Sequence, residues 1–258
     1  MGDNYGDLHM CYAAVSVTGN TKIGGLVGGT NQENIGGLDL GNMHECYSTG
    51  SVSGNSYVGG LLGDNYGLID TCYATGSVTG NARVGGLVGG NGKADFPGPR
   101  GEARGYIHGC YSTGSVSGSS HVGGLVGYHE VGTVSHSFWD IETSEQLTSQ
   151  GGVDKTTDQM KTLSTFTSAN WTFVGEKANS SSGFWRMCAD GVHYPRLNWE
   201  FRQYADFICP DGVGLEDFGY LGGPWLIGEC DSPANLDGDE AIGFGDLMIL
   251  CEHWLVGR

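Results

Sequence analysis

One nine-residue stretch recurs along this chain of 258 residues and limits what the chain can fold into. The stretch CYSTGSVSG stands at residues 46–54 and again, unchanged, at residues 110–118. Close variants begin at Cys11 and Cys72, and a double glycine begins 13 positions after the cysteine of all four copies. A fixed interval of this kind is typical of stacked units that cannot bury their apolar faces alone.

Side chains alternate within the repeat as they do along a β-strand. In the second copy one face carries Cys46, Ser48, Gly50 and Val52, and the other carries Tyr47, Thr49, Ser51 and Ser53. The first face is small and apolar enough to pack inside a coil, so the Tyr, Thr and Ser positions are expected to face outward. Gly, Asn and Ser lie between the apolar positions and suit corners that need positive φ or local side-chain hydrogen bonds.

Two further apolar positions repeat with the cysteine. One lies three residues before it, at Leu8, Met43, Ile69, Ile107 and Val134, and the other just before the double glycine, at Ile23, Val58, Val84 and Val122. We therefore predict a mainly β fold over residues 5–140, a parallel β-helix or β-solenoid of about 26 residues per coil, in which like residues stack on like.

Composition excludes several classes of protein. Only 38% of the residues are hydrophobic and 48 are glycine, which is poor material for an ordinary globular core. The formal charge of −17, with only 12 basic residues, disfavours nucleic acid as a partner. No apolar run approaches the roughly 20 residues that a membrane helix needs.

The double-glycine segments carry a resemblance to a known family. IGGLVGG, VGGLLGD, VGGLVGG and VGGLVGY, at residues 23–29, 58–64, 84–90 and 122–128, are similar to the GLUG repeat of bacterial surface and adhesin-like proteins. The resemblance covers residues 2–140. It implies a β-helix and a secreted or surface-displayed role in binding or structure, without a general catalytic signature.

The start of the chain fits the same repeat. GDNYGDLHMCY at residues 2–12 matches GDNYGLIDTCY at residues 63–73, so the chain begins in the middle of a coil. We expect that upstream coils and an export signal are missing, and that the open strand edge frays or associates with another copy.

Two insertions and a histidine column each allow two interpretations. The insertions, residues 30–42 and 91–105, fall at the same place in the repeat and are either tolerated loops or a ligand-recognition edge. His9, His44 and His108 each stand two residues before a cysteine. Stacked His and Cys could hold zinc or copper, but alternation favours a histidine column facing solvent beside buried thiols.

The rest of the chain divides into two parts. Residues 141–202 read as a capping segment with a short helix from Thr157 to Leu163. Residues 203–258 contain a second repeat, whose positions recur 29 apart. Its later copy, NLDGDEAIGFGDLMILCEHWL, resembles a type I dockerin repeat, an EF-hand-like calcium loop followed by a helix.

The dockerin resemblance implies a calcium site and an attachment role. The ligands carried over are Asn235, Asp237, Asp239, the carbonyl of Ala241 and Asp246. Glu240 stands where a glycine is usual, so weak affinity is expected, and the earlier loop from Asp206 to Asp217 looks degenerate. The implied helix face holds Leu247, Leu250, Cys251, Trp254 and Leu255, and the implied partner is a cohesin-like protein or another cell-surface component.

Cysteines outside the solenoid leave their pairing open. Cys188, Cys209, Cys230 and Cys251 allow three pairings, and a free thiol at Cys251 is an equal alternative.

Two classes of function remain at this stage. The first is a non-enzymatic extracellular or cell-surface binding protein, with carbohydrate or a surface protein bound to the solenoid. The second is a polysaccharide-active β-helix enzyme, which would need two or three convergent carboxylates in a groove.

Overall fold

The computed structural model describes residues 2–30, 41–93, 104–174 and 183–204, together with residues 236, 243, 245–249 and 251. Contacts divide the chain into two compact units, Met1–Asn170 and Trp171–Arg258. The three-part division predicted at residues 140 and 202 stays a prediction.

The first unit consists of short strands that recur in the same order in successive coils. After β1 (Asp3–Asn4), the first coil contains β2 (Leu8–His9), β3 (Tyr12–Ala13), β4 (Val17–Thr18), β5 (Thr21–Gly24) and β6 (Val27–Thr30). The second contains β7 (Met43–His44), β8 (Tyr47–Ser48), β9 (Val52–Ser53), β10 (Ser56–Gly59) and β11 (Leu62–Asn65). The third contains β12 (Leu68–Asp70), β13 (Tyr73–Ala74), β14 (Val78–Thr79), β15 (Ala82–Gly85) and β16 (Val88–Asn91). The fourth contains β17 (Gly105–His108), β18 (Tyr111–Ser112), β19 (Val116–Ser117), β20 (Ser120–Gly123) and β21 (Val126–His129). The unit ends with β22 (Gly132–Ser135), β23 (Phe138–Asp140), α1 (Ile141–Ser144), β24 (Val153–Lys155), α2 (Thr157–Met160) and α3 (Leu163–Thr167).

Each of these coils contributes one strand to each of five parallel sheets, which we name A to E in the order in which a coil passes through them. Sheet A contains β2, β7, β12, β17 and β22, and sheet B contains β3, β8, β13, β18, β23 and β24. Sheet C contains β4, β9, β14 and β19, sheet D contains β5, β10, β15 and β20, and sheet E contains β1, β6, β11, β16 and β21. The predicted mainly β solenoid is therefore confirmed, and sheet B continues past residue 140.

Equivalent residues stack in register from coil to coil. Val58 pairs with Ile23 on one side and with Val84 on the other. The insertions leave this register unchanged, because sheets E and A pair normally before and after each of them. Both insertions leave between sheets E and A, the same corner, as predicted. Their central residues, 31–40 and 94–103, lie outside the described part of the chain.

Two apolar clusters fill the inside of the stack, and both contain positions predicted from the repeat. The larger one is built from Leu26, Val27, Met43, Cys46, Leu61, Leu62, Ile69, Cys72, Ala74, Leu87, Val88, Ile107, Cys110, Leu125, Val126 and Trp139. The smaller one lies between sheets C and D and is built from Val52, Val58, Val78, Val84 and Val116. Burial of stacked Val, Leu and Cys side chains supplies the main favourable free energy of this fold.

The double glycines are required because two stretches of backbone approach closely. A Cβ atom on Gly59 would overlap the carbonyl oxygen of Leu62 and would lie 2.7 Å from the amide nitrogen of Gly89 in the next coil. Gly24 and Gly85 would overlap the carbonyls of Val27 and Val88 in the same way. The chain thus turns sharply from sheet D into sheet E, and only glycine fits at the turn.

Positive φ occurs at positions that the sequence did not indicate. In sheet D the second residue of each strand is left-handed: Lys22 at 56°, Tyr57 at 55°, Arg83 at 55° and His121 at 51°. The prediction for the corners is positive φ or local side-chain hydrogen bonds at Gly, Asn and Ser, and both occur: Gly41 and Gly92 have positive φ, and the Asn65 amide donates to the carbonyl of Gly67. The left-handed residues of sheet D are a further feature that the repeat did not predict.

The tyrosine after each cysteine corrects an expectation. Tyr47, Tyr73 and Tyr111 are 5%, 3% and 1% exposed instead of facing solvent, while Tyr12 is 45% exposed. The four rings stack at centroid distances of 5.2, 4.9 and 5.0 Å along sheet B. They are outside the apolar cluster that contains Cys46 and Ala74, and stacking, together with Phe166 of α3 at 6.5 Å from Tyr111, covers them.

The end of the stack is covered by α1 to α3. Asp140 caps α1 by accepting from the amides of Glu142 and Thr143. The predicted helix over Thr157–Leu163 is present as two short helices instead of one. α2 starts with a capping box formed by Thr156 and Gln159, and α3 buries Phe166 edge-on against Phe138 at 5.6 Å.

The second unit has a small antiparallel element near its start. β25 (Trp185–Arg186) pairs with β26 (Arg196–Leu197), and α4 (Asn198–Tyr204) follows. Trp185 is 2% exposed and stacks on Trp171 at 4.5 Å. Residues 245–249 are helical, in the place where the dockerin resemblance implies a helix.

Candidate binding groove

The outer face of sheet A carries a column of polar side chains. Along each strand the apolar residue points inward, as Met43 and Ile69 do at 0% exposure, and the next residue points outward. Register then aligns His9, His44, Asp70, His108 and Ser135. His9 and His108 are exposed and Cys46, Cys72 and Cys110 are fully buried, which confirms the predicted directions for these residues, whereas Cys11 in the first coil is only partly buried.

Each histidine of this column contacts an oxygen atom of the next coil. His9 Nε2 lies 2.9 Å from Glu45 Oε1, and His108 Nδ1 lies 3.0 Å from Ser135 Oγ. His44 Nδ1 lies 3.6 Å from Asp70 Oδ2. Within the described ranges, no group of three or more His, Cys, Asp or Glu side chains has the arrangement of a metal site.

Two side chains on this part of the solenoid, the imidazole of His44 and the thiol of Cys72, have shifted pKa values. Hydrogen bonding to the Asp70 carboxylate, together with its charge, raises the pKa of His44 against the opposing effect of burial. The distance of 3.6 Å is long for a hydrogen bond, so the attraction is mainly that of an ion pair. Burial raises the pKa of the Cys72 thiol well above its ordinary value, which keeps that thiol neutral.

A groove of about 470 Å³ lies on the same face, between β12, β17 and β22. Its lining residues are Asn42, Leu68, Tyr106, Ile107, His108, Thr133 and Ser135. Leu68, Tyr106 and Thr133 form a second column beside the histidines. Tyr106 is 37% exposed, so part of its ring is available to a ligand.

The groove combines the groups that hold a neutral polar ligand. It offers an aromatic ring, two hydroxyls, an imidazole and the Asn42 amide, whose Oδ1 accepts from the Leu68 amide at 3.1 Å. Pockets of this composition fix a ligand by ring contact and orient it by a few hydrogen bonds.

Sequence reasoning missed the groove because its key residues vary from coil to coil. The position of Tyr106 is Leu68 in the preceding coil and Thr133 in the following one. A repeat search looks for likeness and passes over such positions. The available signal was the insertion directly before β17, since a loop that leaves a rigid scaffold often borders a binding site.

The predicted calcium loop is described only in part. Asn235, Asp237, Asp239 and Ala241 lie outside the described residues, as does the earlier loop from Asp206 to Asp217. Asp246 is 0% exposed and its carboxylate accepts hydrogen bonds from the backbone amides of Leu236 and Gly243. The carboxylate therefore ties the backbone at residues 236 and 243 to the start of the helical segment, and a carboxylate is the kind of group that calcium binds.

The remaining implied positions of this module have mixed outcomes. Cys251 is a free, exposed thiol, so it does not belong to a buried helix face. Leu250, Trp254 and Leu255 lie outside the described residues. Cys188 is disulfide-bonded, and Cys209 and Cys230 are not described. The alternative in which Cys251 stays unpaired is therefore supported.

Comparison with protein families and proteins of known structure adds one match. The family described as the GLUG motif matches residues 54–79, which run from β10 to β14 and span one repeat. Comparison with curated proteins and with solved structures finds no significant match. The fold and the match together define a repeat protein of the β-solenoid class that carries a GLUG motif. No helix in the described ranges is long and apolar enough to cross a membrane.

Proposed function

We propose that this chain is a non-enzymatic extracellular or cell-surface binding protein, adhesin-like in character, whose solenoid binds carbohydrate in the groove of sheet A. The observation that carries the proposal is the groove itself, in which the exposed ring of Tyr106 lies beside His108, Thr133 and Ser135. A sugar ring offers an apolar face to an aromatic side chain and hydroxyls to its polar neighbours.

The position of the groove supports a binding role. The insertions that follow β6 and β16 leave the solenoid at the corner between sheets E and A, next to this face. A rigid sheet flanked by loops is a common platform for recognition, because the sheet holds its side chains in place. Under this proposal the insertions are a recognition edge.

The C-terminal module is proposed to attach the protein through a dockerin-like calcium loop. The buried carboxylate of Asp246 is the described feature that supports a calcium site. A cohesin-like protein or another cell-surface component is the proposed partner. Bound calcium would neutralise the carboxylates of the loop and hold its ligands together. A site of such weak affinity would be occupied where calcium is millimolar, which is outside the cell.

The alternative is a polysaccharide-active enzyme or a non-catalytic fragment of one. Glycoside hydrolysis generally uses two carboxylates on either side of the scissile bond. Glu45 and Asp70 instead contact His9 and His44, and Asp64 contacts Lys22. These three carboxylates are thus engaged with cationic or imidazole side chains, which supports a structural role for them. Release of reducing ends from a polysaccharide bound by the purified chain would support the enzyme.

The proposal is tested by measuring binding of the full chain to an array of neutral glycans and then titrating the best one. We expect Tyr106→Ala to weaken binding about tenfold or more, since loss of a ring contact removes roughly 1–2 kcal/mol. Tyr5→Ala is the matched control, because Tyr5 is 48% exposed and does not line the groove. Equal affinity of the two variants would contradict the proposal.

A further inference from the structure

A second chemical feature lies on another part of the solenoid, where sheets D and E meet. We call it the cation–tyrosine corner and define it by Lys22, Tyr57, Arg83 and His121 of sheet D and by Asp64, Tyr66 and Tyr128 at sheet E. The four residues of sheet D occupy the same repeat position and share a left-handed φ between 51° and 56°. The backbone conformation therefore directs one variable side chain per coil to this corner.

The first cation of the corner is already paired. Lys22 Nζ lies 3.0 Å from Asp64 Oδ2, and Asp64 is only 1% exposed. The hydroxyl of Tyr66 donates to the same carboxylate oxygen. Burial raises the pKa of Asp64, while Tyr66, Lys22 and, at longer range, Arg83 act in the opposite direction. Lys22 is thus a structural counter-ion, and its charge is not available to a ligand.

Arg83 is held differently, because aromatic rings fix it and it forms no direct ion pair within the described part of the chain. Its guanidinium carbon lies 4.5 Å from the ring centroid of Tyr57 and 5.0 Å from that of Tyr128. Its Nε is buried without a hydrogen-bond partner, and its charge acts on Asp64 only at a distance. Stacking of this kind orients a guanidinium without using its hydrogen-bond donors.

A positioned guanidinium with unused donors is suited to a planar oxyanion. Its fork of N–H groups matches the two oxygens of a carboxylate, and partial removal from water strengthens such a bond. The imidazole of His121 contacts Tyr128 edge-on at 5.3 Å and lies at the same repeat position one coil further on. It places a further donor next to Arg83.

We propose that the cation–tyrosine corner binds the carboxylate of an acidic ligand, with Arg83 as the anchor. The ligand class is a uronate, either as a free sugar acid or as a unit of an acidic polysaccharide; the carboxylate follows from Arg83, and the choice of a sugar rests on the proposed carbohydrate-binding function. The site is separate from the groove on sheet A, so the two can be tested independently.

The test is calorimetric titration of the full chain at low salt with sodium glucuronate, with a tetramer of galacturonate and with neutral glucose. We expect both uronates to bind and glucose not to bind at this site. Arg83→Gln should weaken uronate binding about tenfold to a hundredfold, the range for one charged hydrogen-bonded contact. Tighter binding of the tetramer than of the monomer assigns the site to a polysaccharide, and equal affinity assigns it to a free sugar acid.

Two controls keep the outcome decisive. Lys155→Gln removes one positive charge from β24, away from the corner, and should leave uronate affinity unchanged. Arg83→Lys keeps a cation between the rings, should retain part of the uronate affinity, and serves as the second variant if Arg83→Gln fails to fold. Absence of uronate binding, or an equal loss in Arg83→Gln and Lys155→Gln, would overturn the proposal.

Discussion

At the scale of single residues, the fold depends on glycines that are chosen for their lack of a Cβ atom. Gly59 meets the backbone of its own coil and of the next coil, so a shift at this position is transmitted along the stack. Gly6, by contrast, has no atom within 4 Å of the place where a Cβ would stand. Substitution of Gly59 therefore tests the steric requirement for glycine, whereas substitution of Gly6 changes only the conformational entropy of the unfolded chain.

Gly59→Ala is expected to lower the free energy of unfolding by about 3 kcal/mol or more, because the new methyl group can be accommodated only by moving backbone. Gly6→Ala should change it by less than about 1 kcal/mol. Urea unfolding followed by circular dichroism measures both. Similar small effects at the two positions would show that the turn between sheets D and E can relax.

The ion pair between His44 and Asp70 predicts a pH dependence of stability. Because the pKa of His44 is raised, its contribution is fully present below its ordinary value of 6.5 and is lost as the pH rises through the folded-state value. Asp70 and, less strongly, Asp7 are the carboxylates that face it. Both partners are about one third exposed, so the effect should stay below about 1 kcal/mol.

The corresponding measurement is the difference in unfolding free energy between pH 6 and pH 8.5. His44→Gln should reduce this difference relative to the unmodified chain. His108→Gln is the matched substitution, since His108 faces the uncharged hydroxyl of Ser135. A pH profile of His44→Gln that coincides with that of the unmodified chain would refute the assignment.

At the scale of elements, stability should vary along the stack. Strand β13 pairs with β8 and β18, whereas β3 pairs with β8 alone. The side chains follow the same trend, because Tyr73 is 3% exposed and Tyr12 is 45% exposed. A coil with one described neighbour holds fewer hydrogen bonds and less buried apolar area than a coil between two others.

Amide hydrogen exchange should therefore be at least about tenfold faster at residues 11–19 than at residues 72–80. Mass spectrometry of peptides from these equivalent segments compares them directly, since their sequences are nearly the same. Association of two copies through the first coil would slow amide exchange there. The oligomeric state of the protein in solution is therefore measured in parallel. Equally slow exchange in a monomer would contradict this gradient.

At the scale of the whole molecule, the proposed calcium loop links metal binding to the stability of the second unit. Asp246 connects the loop amides of Leu236 and Gly243 to the start of a helical segment. A cation bound in front of this carboxylate would hold loop and helix together. The expected affinity is that of extracellular modules, on the order of 10⁻⁴–10⁻³ M.

Millimolar calcium is expected to stabilise the second unit by about 1–3 kcal/mol through mass action. Thermal unfolding of the full chain, with calcium and with a chelator, measures this difference. Asp246→Ala should abolish the calcium effect, while Asp154→Ala, at an exposed carboxylate of the first unit, should preserve it. An unchanged unfolding midpoint in the unmodified chain would mean that the loop does not bind calcium.

The repeat by itself determined the features that depend on contact between like residues. Stacked sheets, the coil register, the inward cysteines at Cys46 and Cys72 and the outward histidines all follow from it. The same repeat placed both insertions at one corner. These features are predictable because each coil is in register with a near copy of itself, so that the neighbours of a residue can be read from its own sequence.

Only the tertiary structure decided the contacts between unlike positions. Tyr47 is buried although alternation turns it outward, because the tyrosine rings of the two neighbouring coils stack on it. Arg83 lies between two tyrosines from the coils on either side of it, and Tyr106 lines a groove with residues from β12 and β22. Such contacts depend on the distance between sheets D and E and on the place where the coil bends. Both are properties of the backbone of the whole coil, so they cannot be read from a single position of the repeat.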